Sequence, residues 1–145
     1  MSDEVTESML TAMLALEGKM AQVPGVLYGD AACPLVHSYG EGCYIRQITM
    51  PKGMLLTSKI HRKRHPYFIL SGDVSVMTLD GHVERLKAPY SGITEPGTKR
   101  MLYIHEETIW ITVHVTDKTD LLEIEEEIIE TPMEVNLCHG LLQHS

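Results

Sequence analysis

Two kinds of periodicity divide the chain. Over residues 4–20, Met9, Met13, Leu16 and Met20 recur at three- and four-residue spacing, with Leu10 and Leu14 beside them. That spacing predicts a helix, with Ser2 or Asp3 placed to cap it and Pro24-Gly25 just past its end. From about 35 to 116 the period shortens. Runs rich in Val, Ile, Thr and Tyr alternate with turn signals at Gly40-Glu41-Gly42, Pro51-Lys52-Gly53, Ser71-Gly72-Asp73, Asp80-Gly81, Ser91-Gly92 and Glu95-Pro96-Gly97. Such spacing predicts about eight strands in an antiparallel sandwich or barrel. Asp80-Gly81 is the clearest hairpin turn. His105-Glu106-Glu107-Thr108 reads as a further polar turn. Helical spacing returns over about 120–130. Asp120 is a cap with Glu123 three residues on, Leu121, Ile124 and Ile128 form a stripe supported by Leu122 and Ile129, and Pro132 is the stop. No repeat or linker interrupts residues 1–145, which read as one domain.

Composition narrows the function. The 145 residues are 43% hydrophobic and 22% charged, ordinary for a globular protein with a real core. No apolar run approaches the roughly 20 residues of a membrane span. The acidic start MSDEVTESML lacks the features of a signal peptide, so no membrane association and a cytoplasmic location are expected. Cys33, Cys43 and Cys138 have no metal-ligand spacing and read as free thiols. A net charge of −8 argues against duplex nucleic acid as the main partner. Acidic residues concentrate between Asp117 and Glu134, which predicts a solvated outer face on the last helix. In the tail LCHGLLQHS, Cys138, His139 and His144 read as a loose terminus.

Against that acidity, residues 59–65 gather Lys59, His61, Arg62, Lys63, Arg64 and His65. On a strand Lys59 and His61 would face the same way as Leu55 and Thr57, opposite Met54, Leu56, Ser58 and Ile60. Arg100 would share its face with Leu102 and Ile104. In IWITVHV, Trp110, Thr112 and His114 oppose Ile109, Ile111, Val113 and Val115.

The segment from Gly53 through Lys59-Ile60-His61 and His65 to Gly72, followed by Glu95-Pro96-Gly97-Thr98-Lys99-Arg100, resembles the two motifs of the cupin family over roughly residues 42–116. Lys59 and His61 occupy the His-x-His places, His65 the Glu place and Arg100 the place of the second-motif His. The wider pattern is also similar to small cupin-like proteins carried by phages and prophages. The resemblance implies an all-β cupin-type antiparallel β-barrel (double-stranded β-helix or jelly roll) with flanking N-terminal and C-terminal helices. It also implies a site inside the barrel near its mouth. Cupins often pair, and a homodimer through the Met-rich helix or a barrel edge is expected.

The departures at the site leave three readings open. In the first, Lys59, His61, His65 and Arg100, helped by Lys99 and with Trp110 available for stacking, bind an anionic small molecule such as a nucleotide-like signal or sugar phosphate. In the second, His61 and His65 hold Zn, Fe, Mn or Ni in an oxygenase, isomerase or hydrolase, with a third ligand from His105, His114, Glu95 or His82. In the third, the site is vestigial and the protein is structural. Arg62, Lys63 and Arg64 read as a solvated loop, with a rim that steers anions as the alternative. Tyr44 and Arg46 are ambiguous, and Arg46 inside the barrel would favour the anion reading. No Gly-rich phosphate loop, nucleophile elbow or Cys pair is present to support another mechanism.

Overall fold

The computed structural model describes residues 3–21 and 33–130. Pro24-Gly25, Pro132 and the tail with Cys138, His139 and His144 lie outside them. Helix α1 runs Asp3–Ala21, and Met13 on its apolar stripe is buried. Eight strands follow between residues 35 and 115: β1 (Leu35–Gly40), β2 (Cys43–Met50), β3 (Leu55–Thr57), β4 (Ile60–His61), β5 (His65–Thr78), β6 (Val83–Lys87), β7 (Tyr90–Thr94) and β8 (Arg100–Val115). Helix α2 (Leu121–Ile128) and the short β9 (Ile129–Glu130) complete the described chain.

Two long strands organise the barrel. The later half of β8 pairs with β2 and with the first half of β5, while β1 and β7 extend that layer on either side. The first half of β8 pairs with β3 and with the second half of β5, and β6 extends that second layer. All pairings are antiparallel. The core lies between the layers, where Ile48, Met50, Ile69 and Trp110 from one meet Leu56, Val74, Leu86 and Ile104 from the other.

The Asp80-Gly81 hairpin forms as expected, with Gly81 at φ +80° and Thr78 N–H donating to the His82 carbonyl. Three expected turns do not form. Ser71-Gly72-Asp73 lies within β5, where the pairing with β8 shifts register, and His105-Glu106-Glu107-Thr108 lies within β8 opposite it. Together they make one bulge. Before it His65, Tyr67 and Ile69 point inward, and after it Val74 and Val76 do, so the inward parity of β5 changes from odd to even. The bulge thereby lets one strand serve both layers. Ser91-Gly92 is likewise inside β7, and no reversal falls there: β7 follows β6 along β5 in the same direction.

At α2, the Asp120 side chain accepts from Leu122 N–H as a cap. Ile124 and Ile128 are buried in a second apolar cluster with Tyr44 and Ile129, and Leu121 packs against it. Leu122 does not support the stripe and is exposed. The helix ends at Ile128, where the chain becomes extended and β9 pairs with β4.

Candidate functional site

The β4–β9 pairing straps the basic run to the C-terminal helix. Arg62 N–H donates to the Ile128 carbonyl and Arg62 Nε to the Ile129 carbonyl at 2.7 Å. Lys63 pairs with Glu127 at 2.9 Å and Arg64 with Glu95 at 2.7 Å. Each of the three loop cations is thus engaged by a carbonyl or carboxylate.

Behind this strap lies a cavity of about 80 Å³. At roughly 10–15 Å³ per water, it has room for several waters or the charged end of a ligand. Arg46, Lys59 and Arg100 reach it, as do His61 and His65. The lining also has an apolar part, formed by Ile48, Met50, Leu56, Leu102 and Trp110. The expected strand parity does not carry through to Lys59. Leu56 and Ser58 line the cavity, and so do Lys59 and His61, because β3 ends at Thr57 and the chain rotates before β4 begins. Leu55 instead faces solvent.

Arg100 shares its inward face with Leu102 and Ile104 as read from the sequence, and it does not snorkel to the surface. Its NH1 donates to Thr94 Oγ1 at 2.9 Å, and its guanidinium lies 4.9 Å from the centre of the Tyr67 ring, which stacks on Trp110. Trp110 thus both packs the core and lines the cavity. Lys99 is not among the cavity's lining residues; it is buried, with Nζ donating to the Ser58 carbonyl at 2.9 Å.

His61, His65 and His114 form a cluster in which one ring nitrogen of each lies within 4.8 Å of the others. Of the four side chains weighed as a third ligand, His114 is the one that joins it. His105 hydrogen-bonds Ser75, Glu95 holds Arg64, and His82 sits exposed after the β5–β6 turn. Burial, with His65 and His114 beside it, drives the His61 pKa down to about 2. Burial, then His65 and Arg46, takes His114 down to about 3, and burial also lowers His65. All three imidazoles are neutral at pH 7, the form that binds metals. His65 Nδ1–H donates to the Lys63 carbonyl at 3.1 Å, which leaves the lone pair on Nε2.

Burial also lowers Lys59, to about 8, while Glu125 pulls it back toward the charged form. Glu125 comes from α2 and lines the cavity, its Oε1 3.8 Å from Lys59 Nζ. The acidic helix is therefore more than a solvated face. Glu127 on the same helix also accepts from Thr116 Oγ1 and pairs with Lys118. A sequence signal for Glu125 did exist. Leu121, Ile124, Glu125 and Ile128 stand at i, i+3, i+4 and i+7, which puts one carboxylate on the apolar stripe.

No family model matches the chain, and no curated protein does. Among solved structures, a mutant salicylate 1,2-dioxygenase from Pseudoaminobacter salicylatoxidans superposes with a TM-score of 0.55 at 12% identity, covering 91% of this chain and 39% of that one. A protein of unknown function from Vibrio parahaemolyticus gives 0.52 at 13% identity, covering 59% and 90%. An RmlC-like cupin with a double-stranded β-helix fold from Methanocaldococcus jannaschii gives 0.48 at 14% identity over 57% and 81%, too weak to argue from. Identities this low bear on fold alone. The fold is an all-β cupin barrel with flanking helices, its two antiparallel layers sharing β5 and β8. No helix among the described residues is long and apolar enough to cross a membrane.

Proposed function

We propose that this protein is a small-molecule-binding cupin whose cavity receives the anionic end of its ligand, a phosphate or carboxylate. The observation that carries this reading is the convergence of Arg46, Lys59 and Arg100, from three separate parts of the barrel, on one small cavity. Cations gathered behind low-dielectric walls hold an anion far more strongly than the same groups in water. Arg supplies a planar fork and Lys a point charge. The test is calorimetric titration with inorganic phosphate and with butyrate. Charge-assisted hydrogen bonds of about 1.5–3 kcal/mol predict that Lys59→Ala and Arg100→Ala each weaken binding roughly 10- to 100-fold with the fold intact. Unchanged affinity in both would overturn the reading.

A second reading rests on the His61, His65 and His114 cluster. Three neutral imidazoles suit Zn, Fe, Mn or Ni, so the donor set fits the metal that cupins carry. Bound there, such an ion would supply Lewis-acid or redox chemistry to a metal-dependent enzyme. The surrounding cations oppose a divalent ion, and an anion held by Arg46 and Arg100 would offset that repulsion. The two readings are therefore compatible. Elemental analysis of protein purified without chelator or nickel resin is expected to find close to one first-row metal per chain, lost in His114→Ala. Metal-free protein that takes up no added Zn would sink the second reading.

A further inference from the structure

We propose that Glu125 is a built-in stand-in for the ligand: the anion this site takes is a carboxylate, and it binds by displacing Glu125 from Lys59. This rests on the anion-binding reading above. Among the described residues lining the cavity, Glu125 carries the one carboxylate, and it is delivered by α2 rather than by the barrel that holds Arg46, Lys59 and Arg100. A carboxylate beside Lys59 is thus already the arrangement the folded chain adopts.

The pair is unequal in a way that decides which partner leaves. The Lys59 side chain is 11% exposed and that of Glu125 is 38%. Glu125 can rotate into water, whereas Lys59 is enclosed. At 3.8 Å their contact is also too long for a hydrogen bond. It is an attraction between charges that leaves geometry to gain. A ligand carboxylate free to approach within about 2.8 Å of Lys59 makes the shorter, charge-assisted bond that Glu125, fixed on α2, does not reach.

The walls favour a carboxylate over a phosphate. A phosphate presents oxygens on every side, and although Ser58, Thr94 and Thr112 in the lining can donate to some of them, the face made by Ile48, Met50, Leu56 and Leu102 offers no donor. A carboxylate presents both oxygens at one end and leaves an apolar body for that face.

The test is titration calorimetry of the full chain with butyrate and inorganic phosphate, comparing wild type, Glu125→Gln and Glu125→Ala, with Glu126→Gln on the exposed face of α2 as control. Removing the stand-in is expected to tighten butyrate binding about tenfold or more in both Glu125 variants, leave the control unchanged, and keep phosphate weaker than butyrate throughout. A measurement on the wild type alone runs beside it: the carbon-13 resonance of the Glu125 carboxyl should move to its solvated position as butyrate saturates. Equal or weaker butyrate binding in the Glu125 variants, or an unmoved resonance under saturating butyrate, overturns the displacement while leaving the anion pocket standing. Tighter binding of phosphate than of butyrate overturns the carboxylate assignment. Binding of neither anion by any form removes the pocket reading itself.

Discussion

At Gly72 the backbone adopts φ +113°, and a β-carbon built there would fall on Thr108 Oγ1 and lie 2.5 Å from Thr108 Cα and 2.7 Å from the Glu107 carbonyl oxygen. Two backbone neighbours cannot swing aside as a side-chain tip would. Gly72→Ala should therefore cost about 2–3 kcal/mol, combining overpacking with an unfavourable dihedral, as read from urea unfolding. Gly81, also at positive φ, has nothing within 4 Å of that position, so Gly81→Ala should cost about 1 kcal/mol. The site was legible at this scale wherever strand parity persisted. Arg100 with Leu102, and Trp110 with His114, follow simple alternation and point where the sequence puts them. Lys59 does not, because two residues outside any strand rotate it relative to Leu55. Glu125 was hidden for a different reason: a charge on an acidic helix looks solvated until the helix is docked.

At the scale of elements, α2 is held chiefly by what it buries. Its ion pairs through Glu127 reach Lys63 and Lys118, whose side chains are about half exposed, and such pairs contribute little. Ile124 is fully buried against Tyr44 and Ile128. Ile124→Ala should lower stability by about 2–4 kcal/mol. Glu127→Gln should change stability by less than about 1 kcal/mol in the same denaturation experiment. The helices and the Asp80-Gly81 hairpin were legible because period and cap chemistry agree over many residues. The β5–β8 bulge was not. Ser-Gly-Asp serves a turn and a bulge equally well, and only pairing between distant strands decides which forms.

For the whole molecule, the cluster of His61, His65 and His114 ties stability to acidity. His61 and His114 have folded pKa values of about 2 and about 3, below the 6.5 of the unfolded chain. Below pH 6.5 the unfolded chain takes up protons that the folded chain refuses, so these groups withdraw stability as pH falls toward 3. In chelator-treated protein the two together should cost about 2 kcal/mol between pH 6 and pH 5. Urea unfolding at those pH values should show a smaller loss in the His61→Gln, His114→Gln double variant. An identical slope would contradict the assignment of the acid sensitivity to this cluster. If Zn binds the folded form alone, adding it at 100 times its dissociation constant at pH 7 should stabilise by about 2.7 kcal/mol.

The parity change in β5 bears on how the chain tolerates altered length. Lengthening the exposed Asp80-Gly81 turn displaces nothing in the core. Deleting one residue at Gly72 would restore plain alternation along β5. That deletion keeps His65, Tyr67 and Ile69 in phase with Val74 and Val76, whereas deleting Phe68 would turn His65 and Tyr67 away from the face that keeps Ile69. One missing codon at Phe68 amounts to two simultaneous core substitutions and removes a histidine from the cluster. A scan of single-residue deletions should therefore find the cavity more vulnerable at Phe68, whose own side chain faces solvent, than at Gly72.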